Sequence, residues 1–109
     1  MEVWNNNDLY LIEHLAEEDN ALKNALVTSR ENNLPEWEVS ATQGKFLYLL
    51  AKMKNAKRIL EIGTLGGYST IWLARAGRVM MKKRIYRLSS GTKFSLYFSA
   101  AYVIFGVDI

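Results

Sequence analysis

Nine consecutive residues, Glu61-Ile62-Gly63-Thr64-Leu65-Gly66-Gly67-Tyr68-Ser69, set a carboxylate two positions ahead of a glycine-rich turn. Gly63 and the Gly66-Gly67 pair let a chain turn sharply and bring bare backbone against a ligand. A helix that follows such a turn offers free N–H groups in its first turn. The combination suits a nucleotide-like molecule, and three classes compete for it. A P-loop would need lysine where Tyr68 stands. A dinucleotide site wants Gly-x-Gly-x-x-Gly around a pyrophosphate, whereas the spacing here is Gly-x-x-Gly-Gly with an acid beside it. S-adenosylmethionine has no phosphate and carries an ammonium and a sulfonium, so Glu61 favours it. The plainer alternative is an ordinary strand–turn–helix connection with Glu61 in solvent.

The residues around the turn supply elements to hold it. Ile59-Leu60-Glu61-Ile62 is a short, mostly apolar run, the pattern of a strand buried on both faces of a parallel sheet. Tyr68 to Arg75 reads as a helix, so strand, turn and helix open a βαβ unit. Three helices precede it. Asp8 is a plausible N-cap for the first, with Leu9, Ile12 and Leu15/Ala16 at helical spacing. Asp19 caps the second, in which Leu22, Ala25, Leu26 and Ser29 share a face, and Pro35 follows its end. Ser40-Ala41-Thr42-Gln43 is a Ser-x-x-Gln capping box opening the third. That helix is expected to bury Phe46, Leu49, Leu50 and Met53.

Two linked stretches carry a resemblance. Val39-Ser-Ala-Thr-Gln43-Gly44-Lys-Phe-Leu and Ala56-Lys-Arg-Ile-Leu60-Glu-Ile-Gly-Thr-Leu-Gly-Gly-Tyr-Ser-Thr70-Ile-Trp-Leu-Ala-Arg75 resemble the cation-dependent O-methyltransferases of the caffeoyl-CoA/catechol type. The resemblance implies an α/β fold: N-terminal helices plus the first βα unit of a Rossmann-like, S-adenosylmethionine-dependent methyltransferase. It covers residues 1–76, with leading helices over 1–55, first strand and glycine turn over 57–67, and a helix over 68–76. Carried over by position, Val39 packs beside the methionine portion of the cofactor and Ser40 opens the adjacent helix. Glu61 receives the methionine end, Gly63 and Thr64 pass beneath it, and Tyr68 and Ser69 contact its amino-acid moiety. The family acts on small hydroxylated aromatic acceptors and uses a Mg2+-type divalent cation. No catalytic residue and no metal ligand of the family has a counterpart in this chain. His14 is expected to be a surface or packing residue.

After Ala76 the pattern changes. Residues 1–76 carry eight Lys/Arg and ten Asp/Glu, whereas 77–109 carry six Lys/Arg and one acid, Asp108. Gly77-Arg78-Val79 suits a turn into a second strand, but Met80 to Arg87 follows neither period. Phe94 to Val107 is apolar and, at 14 residues, too short to span a bilayer. The segment 77–109 reads as a divergent basic and apolar tail, with a shift of reading frame at Gly77 as its expected cause. A lone βα unit would leave strand edges unpaired and favour self-association. No cysteine is present and no signal peptide is read, which fits a cytoplasmic chain without nucleic-acid or membrane partners. A second reading is a non-catalytic helical interaction or homodimerisation module built on Leu9, Ile12, Leu15, Leu22 and Leu26. A third is a basic protein whose tail binds anionic surfaces.

Overall fold

Helix starts follow the local chemistry at two of the three expected caps. The computed structural model describes residues 2–82, 93–98 and 101–106. Asp19 caps α2 (Asn20–Glu31), its carboxylate accepting the Leu22 N–H at 3.2 Å. Ser40 caps α3 (Ala41–Met53) with both halves of the capping box formed. Its Oγ accepts from Gln43 N at 3.2 Å, and Gln43 Oε1 accepts from Ser40 N at 3.0 Å. The first helix departs from expectation. α1 runs from Glu2 to Leu15, so Asp8 lies inside it and accepts a hydrogen bond from Thr42 Oγ1 at 3.1 Å. That tie to the start of α3 is tertiary, and tertiary contacts override the weak cap preference of a single acid.

The buried faces are narrower than the hydrophobic pattern suggests. α1 buries Ala16 just past its end, with Ile12 half-buried, while Leu9 and Leu15 are exposed. α2 buries Leu22 and Ser29. Leu22 belongs to a core with Val39, Tyr68 and Trp72, so it cannot serve an external partner face, while Leu26 packs against that core and is half-buried. α3 corrects a further expectation: it buries Ala41, Gly44, Leu47 and Ala51, while Phe46, Leu49 and Met53 are exposed. The reason is close approach. Gly44 lies directly against the Trp72 indole of the next helix, and small residues let that contact form. A second core joins Leu47 and Ala51 to Ala56, Ile59 and Leu73. Leu22, Leu47, Ile59 and Leu73 are fully buried, and each such side chain stabilises the fold by roughly 2 kcal/mol.

β1 (Arg58–Ile62) buries Ile59, Leu60 and Glu61, as expected of a strand covered on both faces. α4 (Tyr68–Ala74) follows the glycine turn. Beyond Gly77 the chain continues the sheet, contrary to the expectation of unpaired edges. β2 (Arg78–Lys82) pairs parallel with β1, from Arg58↔Arg78 to Ile62↔Lys82, completing a β1–α4–β2 unit. β3 (Lys93–Phe98) and β4 (Ala101–Gly106) pair antiparallel with each other, and β4 pairs antiparallel with the free side of β1. The order is β2-β1-β4-β3, so β1 is enclosed on both edges. The apolar run read over Phe94–Val107 is this hairpin up to Gly106. Val107, Asp108 and the basic stretch 83–92 lie outside the described residues. Among the described residues, no helix is long and apolar enough to cross a membrane.

The Gly44–Trp72 contact leaves no room for a Cβ. Gly44→Ala is therefore expected to lower stability by about 1–3 kcal/mol despite its gain in helix propensity. Urea unfolding followed by far-UV circular dichroism measures this, and an unchanged or raised midpoint would show that α3 and α4 can separate at little cost.

Candidate functional site

The turn after β1 takes the shape its glycines permit. Gly63 and Gly67 have φ of 82° and 81°, the left-handed region open to glycine. Leu65, between them, is also left-handed at φ 50°, an arrangement that nothing in its residue type announces. The Gly67 N–H closes the turn on the Thr64 carbonyl at 2.8 Å. Gly66 is needed for a different reason: a Cβ there would collide with Ser29 Oγ, which itself donates to the Ala25 carbonyl at 2.7 Å. The turn is thus pressed against α2.

Glu61 is fully buried, which excludes the solvated-acid reading. Its Oε1 accepts from Ser69 Oγ and its Oε2 from Thr70 Oγ1, so both oxygens are engaged by hydroxyls in the first turn of α4. A buried carboxylate without such donors would be strongly unfavourable.

One cleft gathers most of the residues read from the sequence. Val39, Gly63, Thr64, Tyr68 and Ser69 line it together with Trp37, Glu38 and Leu65. Glu61 stands behind this wall rather than in it, acting on the cleft through the Ser69 hydroxyl. Ser40 caps α3 and is not among the lining residues. Trp37, Glu38 and Leu65 were not singled out from the sequence. The Trp37-Glu38-Val39 segment before the Ser40 cap forms one side of the cleft, and the sequence signal that could have found it is the tie between Arg30 and two acids just beyond Pro35. Arg30 contacts Glu36 Oε1 at 2.9 Å and Glu38 Oε1 more closely. Its hydrogen bond to Glu38 is the main cause that raises the guanidinium pKa.

Glu38 is the charged residue of the cleft lining, and no Lys or Arg is among the described lining residues. Arg30 pairs with both Glu38 and Glu36, so the group keeps a net negative charge. That balance suits a cationic ligand better than a diphosphate. Among the described residues no three His, Cys, Asp or Glu side chains lie close enough to hold a divalent cation. His14 is exposed on α1, where Nδ1 lies 2.8 Å from the Tyr10 carbonyl and the ring stacks on Tyr10.

The linker between α1 and α2 holds α4 at both ends. Tyr68 is almost wholly buried and its hydroxyl donates to Glu18 Oε2 at 2.6 Å. Arg75, just past the other end, pairs with Asp19. The Leu22 N–H chiefly, and Arg75 after it, hold the Asp19 carboxyl below its ordinary value against an opposing effect of burial. Burial first, and the bond to Glu18 next, push the Tyr68 phenol well above its ordinary value of 10.0. A raised folded-state pKa contributes stability that is complete below the unfolded value and is lost as pH rises through the folded one. Tyr68→Phe is expected to cost about 1 kcal/mol at pH 8. It is also expected to shrink the fall in urea midpoint that the unmodified chain shows between about pH 9 and 11. Equal pH slopes in the two proteins would rule out a special environment at Tyr68.

Comparison with known proteins accords with this geometry. The family model described as O-methyltransferase matches residues 12–83, so the family pattern continues through β2. A catechol O-methyltransferase of Mycobacterium tuberculosis is 54% identical over 77 residues, covering 67% of this chain and 35% of that protein. One from Niastella koreensis is 49% identical over 75 residues, covering 69% and 34%. Among solved structures, the O-methyltransferase TomG of Streptomyces achromogenes, in complex with SAM, superposes with a TM-score of 0.69 at 54% identity. It covers 73% of this chain and 38% of that one. An O-methyltransferase from Bacillus cereus in complex with SAH gives a TM-score of 0.69 at 50% identity, with the same coverages. The chain thus spans about a third of the length of the curated relatives it matches. With two thirds of its residues inside the family model and a Rossmann-like start shared with those structures, the chain belongs to the O-methyltransferase family.

Proposed function

We propose that this chain is the cofactor-holding N-terminal part of an S-adenosylmethionine-dependent O-methyltransferase acting in the cytoplasm on a hydroxyl of a small aromatic acceptor. The observation that carries the reading is the cleft itself. Five of the six residues expected to bind cofactor line it, the sixth fixes one of them, and its charge is negative. When bound, the cofactor supplies an electrophilic methyl group on its sulfonium. The chain's own part is to bind and orient. Val39 and the Tyr68 ring provide apolar contact, Gly63 and Thr64 let the ligand approach the backbone, and Ser69, aimed by Glu61, offers a hydroxyl. Relatives named as catechol O-methyltransferases support the acceptor class. The described residues do not fit a metal, so no step is assigned to one. The family pattern runs on to residue 83, six residues beyond the break expected at Gly77, so the departure from the family's reading frame is read along 84–109.

Isothermal titration calorimetry with S-adenosylhomocysteine tests the cofactor reading. Saturable one-to-one binding is expected, and Gly63→Val should abolish it, because a β-branched residue at φ 82° is strained and distorts the turn. Absence of binding by the unmodified chain would refute the reading.

One observation supports self-association alongside it. Trp4, Leu11 and Leu15 of α1 are 74%, 38% and 63% exposed and, spaced i, i+7 and i+11, fall on one face suited to a homodimer through the leading helices. Size-exclusion chromatography with light scattering is expected to show a dimer that Leu15→Glu converts to monomer. A monomer at high micromolar concentration would exclude it.

A further inference from the structure

Two carboxylates stand at the cleft, and they differ in what they still need. Glu61 has both oxygens engaged by Ser69 and Thr70 and does not line the cleft. Glu38 lines the cleft, and its side chain is 18% exposed. Its Oε1 is taken by Arg30, while its Oε2 and the neighbouring Arg30 Nη1 are both buried without a hydrogen-bond partner among the described residues. A buried carboxylate oxygen lacking a donor is unfavourable, and a ligand that brings a donor recovers that cost. The surrounding charge points the same way. Arg30 faces two acids, Glu36 and Glu38, so the cluster keeps one negative charge uncompensated. Tyr68 and Ser69 share the cleft with Glu38, at the end of the site read as taking the amino-acid portion of the cofactor.

We propose that Glu38, held by Arg30, is a cofactor-positioning residue whose free oxygen accepts the α-ammonium of the cofactor's amino-acid end. The inference rests on the cofactor reading above and assigns within it a residue that reading leaves without a role. Glu61 then shapes the site from behind, and Glu38 is the acid that meets the ligand. Arg30 holds the carboxylate in place before the ligand arrives, so little ordering is lost on binding.

The test compares two probes on the full chain by calorimetry: S-adenosylhomocysteine, which carries the ammonium, and 5′-methylthioadenosine, which lacks the whole amino-acid portion. Glu38→Gln keeps an acceptor for Arg30 and removes the charge. It is expected to weaken S-adenosylhomocysteine binding about tenfold or more while leaving 5′-methylthioadenosine binding unchanged. Should Glu38→Gln lose its helical circular dichroism, Glu38→Asp carries the same comparison, since it retains the charge but withdraws the oxygen by one methylene. Equal binding of S-adenosylhomocysteine by variant and parent overturns the proposal, as does an equal loss of both probes, which would mark Glu38 as Arg30's structural partner only. If the parent binds neither probe, the cofactor reading fails and this assignment falls with it. If the parent binds both and Glu38→Gln changes nothing, the assignment alone fails.

Discussion

The buried carboxylate of Glu61 is the constraint from which the rest of the site follows. It sits near the carboxyl end of the central strand with no exposure to water. An ionised carboxylate in that position is tolerable only if donors surround it, and hydrogen bonds to charged groups are the strong ones. The donors are Ser69 and Thr70, the second and third residues of α4. Strand end and helix start are thereby bound to each other across a five-residue turn. The turn must then close within a fixed distance, which calls for left-handed backbone at Gly63 and Gly67. The geometry of the cleft floor is a consequence of that closure.

A seven-residue helix is too short to be stable by itself, so α4 must be held from outside. Besides its bonds to Glu61 and its place in both cores, three contacts to the segments before β1 hold it. Gly44 of α3 admits the Trp72 indole, Glu18 takes the Tyr68 hydroxyl, and Asp19 pairs with Arg75. Asp19 also caps α2, so one side chain couples the start of one helix to the end of another. The leading helices are therefore a cradle for α4, and through α4 for Ser69. Arg30 makes the corresponding tie on the opposite wall, holding the segment of Glu36 and Glu38 against α2.

Features encoded by local chemistry were legible in the sequence. The Ser40–Gln43 box, the Asp19 cap and the strand-to-glycine turn each need only neighbours within a few residues, and each formed as read. Features encoded by fit were not. The buried stripe of α3 is made of Ala41, Gly44, Leu47 and Ala51, and alanine and glycine give a weak hydrophobic signal beside Phe46 and Met53. What selects glycine at position 44 is the bulk of Trp72, 28 positions away in the chain. Glu38 was overlooked for a related reason: in sequence it is one acid in a polar loop, and only the cleft distinguishes it from Glu36. The β3–β4 hairpin was illegible because β4 is matched to β1 across 40 to 48 residues, a pairing that no local period reveals.

That pairing bears on where a ligand can sit. β1 has a parallel neighbour, β2, on one side and an antiparallel one, β4, on the other. At the carboxyl end of β1, Ile62 stands beside Lys82, where β2 ends, and beside Tyr102, near where β4 begins. The chain leaving β1 turns over the sheet into α4, so a crevice opens above the strand end at the point where the sheet's connectivity changes direction. Open α/β sheets bind ligands in such crevices because loops there diverge and leave backbone groups uncovered. The location of the cleft is thus set by strand order, and its chemistry by the few side chains that the turn, α4 and the Glu38 segment bring to it. The two levels are separable: the β-hairpin can enclose β1 without touching the recognition of a ligand, provided Glu61 still finds its two hydroxyls.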